Sequence, residues 1–273
     1  MGFTMINLPK RNNIYFTFMS KHQTYNYLKD LYKKKRRVVV SRYGDGEYFI
    51  ISNKKGNRIS KQIVTDEFRT LLLRALNKKG QLICLPSKNK IDLANLYLDD
   101  HKKFSTAMSK FIISVSDHSL YGQGQWRMID FLRYKSTFIT NFFLEKTLVV
   151  TGHSSEAKMA FHNEKNVEIF ETPFFNAIKE YKQIIKDLKK VSKNFDNIIF
   201  GCGPLAKVLI ADLVNVCDSN LIDLGSIIGI IVNPFSQEKI TPVRKWSGFG
   251  KKGNPETIER VSKNFFETLR EKK

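Results

Sequence analysis

The chain has 273 residues, of which 42% are hydrophobic and 12% aromatic, so it can bury a sizeable core and is neither disordered nor fibrous. Its 46 Lys and Arg residues against 26 Asp and Glu give a net charge of +20, which favours a polyanionic partner, either nucleic acid or an anionic membrane surface. The chain has no long apolar run and no secretory-signal pattern, and its three widely spaced cysteines, which lack zinc-type spacing, are interpreted as reduced thiols, so we expect a cytoplasmic protein without a transmembrane segment.

The first half of the chain alternates predicted helices with short apolar strands. Its predicted elements are helix 22–34, strand 37–40, helix 66–76, strand 81–85 and helices 91–99, 103–113 and 128–143. Between the last two helices, residues 114–127 are rich in Gly, Ser and Gln. Long polar segments inside compact domains are often functional loops, so 114–127 is predicted to be a lid or an acceptor-binding loop.

The second half repeats a unit of strand, Gly-rich turn and helix. Its predicted elements are strand 147–151, a helix from 156, strand 167–170, helix 177–192, strand 197–200, helix 205–216, strand 221–224 and a final helix that Asn254-Pro255 opens. Such units are typical of parallel βαβ connections. The predicted fold is therefore α/β and Rossmann-like, a mostly parallel sheet flanked by helices, in one domain over 1–273 that ends in a basic segment plus helix at 244–273.

The main functional signal is the sequence RYGDGE at 42–47, directly after the strand 37–40. In open α/β sheets, ligands bind at the carboxyl ends of the strands. On extended backbone, the carboxylates of Asp45 and Glu47 would project to the same side, where they could hold Mg²⁺ or Mn²⁺ and through it a diphosphate. Gly44 and Gly46 leave room for a ligand to approach the backbone. A solvated acidic turn is the alternative interpretation.

A second Gly-rich turn, GCGPLA at 201–206, fits the dinucleotide pattern G-x-G-x-x-A, and Asp223 lies at a suitable distance for a ribose contact. This pattern alone would indicate an NAD- or SAM-dependent enzyme. Against that interpretation, the turn comes late in the chain and Pro204 removes an amide that could face a pyrophosphate. A tight strand-to-helix turn that requires glycine explains the pattern equally well.

Three signals in this order, RYGDGE at 42–47, GCGPLAKVL at 201–209 and LIDLGS at 221–226, resemble the glycosyltransferases of the GT-D fold. The resemblance spans about 37–226. It implies a Rossmann-like domain that binds a nucleoside-diphosphate sugar and uses its D-x-E pair to bind a divalent metal, Mn²⁺ or Mg²⁺. It therefore implies a hexosyl- or pentosyltransferase.

Carried over residue by residue, the resemblance implies that Asp45 and Glu47 bind the metal and diphosphate and that Arg42 either neutralises phosphate or fixes these two acids. The residues it assigns to donor binding are Arg42, Gly44, Gly46, Gly201, Gly203, Gly225 and Ser226. Several relatives carry His at the position of Ser226, so no role of that His transfers. The acceptor hydroxyl needs a base, for which Asp223 is the candidate beside the alternatives Asp117 and His153.

Two acceptors fit the composition: a cell-surface glycan precursor on an anionic membrane-associated carrier, and a hydroxylated base of duplex DNA, which would have to be flipped out. The candidate acceptor-binding residues are Trp126, Arg127, Arg244, Lys245 and Trp246. The basic run 33–37 is a further candidate for polyanion contact. A non-enzymatic basic nucleic-acid-binding protein, in which the D-x-E pair is incidental, is the alternative function.

Overall fold

The computed structural model describes residues 5–6, 16–52, 58–59, 62–86, 108–124, 126–127, 138–232 and 255–273. The strands in chain order are β1 (Met5–Ile6), β2 (Phe16–Phe18), β3 (Val39–Arg42), β4 (Arg58–Ile59), β5 (Gln62–Ile63), β6 (Leu82–Leu85), β7 (Leu120–Gln123), β8 (Thr147–Thr151), β9 (Val167–Glu171), β10 (Asn197–Gly201) and β11 (Asn220–Asp223). Strands β4 and β5 form a separate antiparallel hairpin. The other nine form one sheet in the order β1-β2-β7-β6-β3-β11-β10-β8-β9. Only the β1–β2 pair in that sheet, as far as the structure describes it, is antiparallel.

Helices cover both faces of the sheet. They are α1 (Lys21–Lys33), α2 (Asp45–Ser52), α3 (Asp66–Leu76), α4 (Phe138–Phe142), α5 (Ser154–Ala160), α6 (Tyr181–Val191), α7 (Leu205–Leu213), α8 (Ser226–Val232) and α9 (Pro255–Glu271), with a further helical segment at 108–114. One core contains side chains of α3, α6 and α7, and the second core contains those of α1, α4, α5, α8 and α9. The predicted α/β class with a mostly parallel sheet is confirmed.

Local sequence explains where several of these elements begin. Ser20 accepts a hydrogen bond from the backbone of Gln23, and its own amide donates to the Gln23 side chain, a capping box that starts α1. Thr65 caps α3 by accepting from the backbone of Phe68. Pro255 occupies the first position of α9, as its fixed φ favours.

The order of the sheet determines where a ligand can bind. From β3 the chain moves to β6 on one side, whereas β11 lies on the other side of β3. The direction of winding therefore changes between β3 and β11. In open α/β sheets, ligands bind in the crevice outside the carboxyl ends of the strands at such a switch point. Arg42 and Asp223 are the last residues of these two strands.

The prediction of a long loop over 114–127 was wrong, because β7 occupies the middle of that segment and pairs with β6 and β2. Tyr121 and Gln123 are fully buried. Gly122 is required by close packing, since a Cβ there would lie 2.8 Å from Cys84 Sγ. Gly122 and Gln123 therefore belong to a closely packed interior strand and not to a loop. Helix 91–99 and the ranges 103–107, 128–137 and 244–254 lie outside the described residues.

We expect Gly201→Ala to lower the free energy of unfolding by about 1–3 kcal/mol, because overpacking a dense interior costs about that much. Gly201 ends β10 beneath α8, and a Cβ there would lie 2.9 Å from Ile228 Cβ and 3.0 Å from its Cγ1. Urea denaturation measures the loss. Ile228→Ala trims part of the obstacle, so Gly201→Ala should cost less in that background. Equal costs in both backgrounds would contradict the packing role.

Candidate active site

The D-x-E pair lies in the first turn of α2 and not on extended backbone. Tyr48 donates its amide to the carbonyl of Gly44 (3.0 Å), and the amide of Gly44 donates to Glu47 Oε2 (2.7 Å). Because an α-helix turns about 100° per residue, residues two apart do not face each other. The expectation that Asp45 and Glu47 share one side was therefore wrong.

The sequence contained a signal for this helix start. Glu47 stands three residues after Gly44 and is followed by the apolar run YFII, the pattern of a capping glutamate at the third helical position. Acidic residues also suit the first turn, where the helix dipole is positive. The capping pattern predicts the helical pair that the structure contains.

Lys207, to which the sequence motifs assign no role, connects the site. It lies in the first turn of α7, and its Nζ is 2.7 Å from Glu47 Oε1 and 2.9 Å from Asp223 Oδ2. Nζ also donates to the carbonyl of Gly203 at 3.2 Å. The side chains of Lys207, Glu47 and Asp223 are 1%, 5% and 0% exposed. One buried ammonium therefore joins α2, β11 and the turn after β10.

The charges of this group support one another. Burial alone would lower the pKa of Lys207, but Asp223 and Glu47 outweigh it, so the pKa is raised. Burial alone would raise the pKa of Glu47, but Lys207 and then Arg42 outweigh it, so that pKa is lowered. Lys207 and Glu47 are therefore both ionised at neutral pH.

Two arginines converge beside this group, over Gly225. A Cβ on Gly225 would lie 3.1 Å from Arg127 Nη1 and 3.1 Å from Arg42 Nη2, and the residue has φ +54°, so glycine is favoured twice. Arg127 Nη1 donates to the carbonyl of Leu224. The Nε atoms of Arg42 and Arg127 are buried without a hydrogen-bond partner among the described residues.

The two guanidinium groups of the arginine pair repel each other. Burial first, and the charge of Arg42 second, lower the pKa of Arg127 well below its ordinary value. Three cations, Lys207, Arg42 and Arg127, lie beside the buried carboxylates of Glu47 and Asp223, and the half-buried Asp45 is the third carboxylate. Repelling guanidinium groups with unused donors are stabilised by an anion. The site can therefore bind an anionic group such as a phosphate.

Asp45 differs from Glu47 in having no cationic partner at salt-bridge distance among the described residues. It is half-buried, and burial first and the charge of Glu47 second raise its pKa, against backbone hydrogen bonds and Arg42. Glu47 uses both oxygens, on Lys207 and on Gly44. Asp45 thus fits a divalent cation, whereas Glu47 is already engaged. Within the described ranges, no group of three or more His, Cys, Asp or Glu residues is placed to hold a metal ion.

Of the predicted donor-binding glycines, Gly201 is explained by its close packing against α8. A dinucleotide-binding motif is therefore not required to explain glycine at this position. Gly203 has φ +65° and is exposed, and a Cβ there would meet no atom of the described residues within 4 Å. Gly46 is buried in α2, and Ser226 is the first residue of α8 beside Gly225.

The structure places the predicted acceptor-binding residues in different environments. Trp126 is 1% exposed and packs against Phe138, so it is a core residue and its predicted acceptor role was wrong. Arg127 joins the arginine pair instead. Arg244, Lys245 and Trp246 lie outside the described residues.

Of the candidate bases, only His153 lies at this edge of the sheet with a partly exposed side chain. It follows the carboxyl end of β8 and packs edge-on against Phe174. Asp117 precedes the amino end of β7, at the opposite edge, where its amide donates to Asn77. Asp223 is wholly buried, with Oδ2 on Lys207 and on the amide of Arg42.

Comparisons with known proteins agree with this architecture. The family model of the glycosyltransferase GT-D fold matches residues 40–230. A structure described as showing that domain of unknown function 1792 has a distinct glycosyltransferase fold is 23% identical, with 77% of this chain and 78% of that chain covered and a TM-score of 0.58. A glycosyltransferase with the same domain from Streptococcus sanguinis is 20% identical, with 78% and 82% covered and a TM-score of 0.56. No curated protein matches the sequence.

We expect Lys207→Met to destabilise the fold by about 3–5 kcal/mol at neutral pH, because it leaves buried carboxylates without their cation. The pH dependence follows from the pKa of Glu47. In the parent, that pKa is lowered, so its stabilisation is present above the unfolded value, about 4.3, and is lost as the pH falls through the folded value. In the variant, burial dominates and raises the pKa, so the deficit should narrow on acidification.

Chemical denaturation between pH 4 and 7 measures this change. Lys189→Met removes an exposed lysine and should change stability by no more than about 0.5 kcal/mol. A deficit for Lys207→Met that is small, or that stays constant with pH, would contradict the ion network.

Proposed function

The chain belongs to the family of GT-D fold glycosyltransferases, and we propose that it transfers a sugar from a nucleoside-diphosphate sugar to a hydroxyl acceptor. The observation that carries the donor assignment is the pair of guanidinium groups that Arg42 and Arg127 bring together over Gly225, with both Nε atoms buried and without a hydrogen-bond partner among the described residues. It lies at the switch point of the sheet, where a nucleotide is expected to bind. A diphosphate supplies the anionic oxygens that these guanidinium groups lack.

The chemistry follows from where charge develops. As the bond between the anomeric carbon and the diphosphate oxygen breaks, the sugar becomes oxocarbenium-like and the nucleoside diphosphate leaves with the electron pair. The hydroxyl oxygen forms the new bond and transfers its proton to a base, for which His153 is the remaining candidate at this edge of the sheet. Guanidinium groups already held in position stabilise a leaving diphosphate with little reorganisation, and we assign this role to Arg42 and Arg127, whose proximity over Gly225 supports it.

Lys207 and Asp223 act in this proposal as positioning residues. Lys207 is too buried to reach a donor, and Asp223 fixes the end of β3 by accepting the amide of Arg42 at 3.0 Å. Asp223 thereby takes a structural role in place of the general base considered from sequence. Glu47 caps α2 and neutralises Lys207.

We further propose that a divalent cation, Mn²⁺ or Mg²⁺, binds at Asp45 together with the donor diphosphate. Such an ion supplies positive charge that stabilises the leaving group. The half-buried carboxylate of Asp45 lacks a lysine or arginine partner at salt-bridge distance among the described residues, and carboxylate oxygen is the donor these ions prefer. The sequence predicts both Asp45 and Glu47 as metal ligands. In this proposal only Asp45 binds the metal, because both oxygens of Glu47 are engaged.

For the acceptor we propose a glycan precursor on an anionic, membrane-associated carrier. Duplex DNA is less well supported, because Trp126, which the sequence predicts as an acceptor-binding residue, is 1% exposed and is not available for stacking on a flipped base. No described helix has the length and apolarity needed to cross a membrane. The three cysteines are free and buried, which fits the proposed cytoplasmic location.

Arg42→Gln should weaken the binding of a nucleoside diphosphate by roughly 10- to 100-fold, since hydrogen bonds to charged groups contribute about 1.5–3 kcal/mol. Calorimetric titration in EDTA isolates this arginine contribution from any metal. The matched control is Arg74→Gln, at a surface ion pair with Asp212. Equal affinities for the parent and Arg42→Gln would remove the basis of the donor site. If no nucleotide or nucleotide sugar binds the parent at all, the non-enzymatic alternative is favoured.

Asp45→Asn should abolish the gain in donor affinity and donor hydrolysis that Mn²⁺ produces, with the melting temperature unchanged. Because the pKa of Asp45 is raised, the metal effect in the parent should fade on acidification at a higher pH than an ordinary Asp would give. A panel of nucleoside-diphosphate hexoses and pentoses, with and without Mn²⁺, identifies the donor. Asp187→Asn, at an exposed carboxylate, is the control. Full activity of Asp45→Asn, or of the parent in EDTA, would refute the metal proposal.

A further inference from the structure

The opposite edge of the sheet carries a cavity whose lining contains no residue of the candidate active site. It has a volume of about 480 Å³, within the usual range of ligand pockets. Its walls come from the starts of β3, β6 and β7 and from α1, which contributes Tyr27, Leu28 and Leu31. Arg36 and Arg37 line it as well. The cavity therefore combines aliphatic and aromatic walls with two cations.

The chain before β3 builds a cationic rim for this cavity. Residues 33–37 are five consecutive basic residues, of which the first four are exposed. Lys34 pairs with Asp30 at 2.8 Å. Among the described residues, no carboxylate lies at salt-bridge distance from Lys33, Lys35 or Arg36. These charges are available to an anionic partner.

The turn that presents this rim contains an unfavoured backbone conformation. Arg36 donates its amide to the carbonyl of Leu31 (2.8 Å) and Lys35 donates to that of Tyr32 (3.0 Å), which together form a Schellman motif at the end of α1. Lys35 occupies the left-handed position, with φ +51°, where glycine is the usual residue. A lysine there costs stability that glycine would not. Such an outlier motivates a hypothesis of function.

Arg37 is held rigidly and retains an unused donor. Its Nε donates to the carbonyl of Ser219 (2.8 Å) and its Nη1 to that of Val214 (2.5 Å). Its Nη2 is buried with no hydrogen-bond partner among the described residues. A fixed guanidinium with an unused N–H suits an anionic oxygen.

We propose that this amino-end cavity and the basic run 33–37 bind the phosphate headgroup of an anionic membrane lipid. Clustered Lys and Arg attract an anionic leaflet, and half-buried apolar side chains such as Tyr27 and Leu31 accept the apolar part of a lipid. A nucleic-acid backbone would engage the charges but not these apolar walls. The proposal does not rest on the glycosyltransferase activity, because β3 separates the cavity from the carboxyl-end site.

The test is co-sedimentation of the full chain with phosphatidylglycerol vesicles, against phosphatidylcholine vesicles. Lys35→Gly removes one charge and relieves the left-handed strain, so it should bind the anionic vesicles at least fivefold more weakly while its melting temperature stays equal or rises. A loss of binding in a stabilised variant is not a folding defect. Lys189→Gln removes an exposed lysine elsewhere and should bind as the parent does. Unchanged binding of Lys35→Gly would overturn the proposal.

A second variant separates a lipid from other anions. Leu31→Ser keeps every charge, so it should weaken vesicle binding and leave binding to duplex DNA unchanged, with its fold verified by the melting curve. If Leu31→Ser binds vesicles as the parent does, while Lys35→Gly loses vesicle and DNA binding alike, the run is a nucleic-acid contact and the lipid proposal is overturned. Full displacement from vesicles by millimolar inorganic phosphate at constant ionic strength would likewise overturn it, in favour of a free phosphate ligand.

Discussion

The arrangement of the carboxyl end of the sheet depends on one buried ammonium, that of Lys207. It is shared by Glu47 on α2 and Asp223 on β11, and it also reaches the carbonyl of Gly203 after β10. None of these charges could be buried alone, because an unpaired ion in the interior is strongly destabilising. The three segments therefore hold one another in place, and the ends of adjacent strands become a rigid base for a ligand site.

That rigid base forces the two guanidinium groups together. Arg42 extends from the end of β3 and Arg127 from the loop after β7, and both reach Gly225, where a side chain would collide with them. The two guanidinium groups repel each other, and their Nε donors lack partners among the described residues, so a bound anion would stabilise the pair. The fixed scaffold and the unsatisfied cations are complementary, since charges that cannot move apart stabilise a leaving anion without reorganisation.

Much of this fold is predictable from local sequence, whereas the site is predictable only in part. Strands such as Asn197–Gly201 are short apolar runs followed by glycine, and the sequence predicts them within a residue or two. The strand Leu120–Gln123 was missed because its Gly and Gln serve close packing, a tertiary requirement that composition does not reveal. The position of Glu47, three residues after Gly44 and before an apolar run, was enough to predict that Glu47 lies in the first turn of a helix. The role of Lys207 could not be predicted from sequence, because its partners Glu47 and Asp223 lie on other segments of the chain.

Two groups of basic residues in this chain of net charge +20 differ physically. At the carboxyl end, Arg127 and Lys207 are buried, so salt screens them little and they act over hydrogen-bond distances. At the amino end, Lys33 and Lys35 are exposed, and at physiological ionic strength their field fades within about 8 Å. In our proposals the first arrangement binds one small anion by geometry, whereas the second binds an extended anionic surface. Because the parallel strands place the two sets at opposite edges of the sheet, the proposed lipid contact at one edge would leave the proposed donor site at the other edge open.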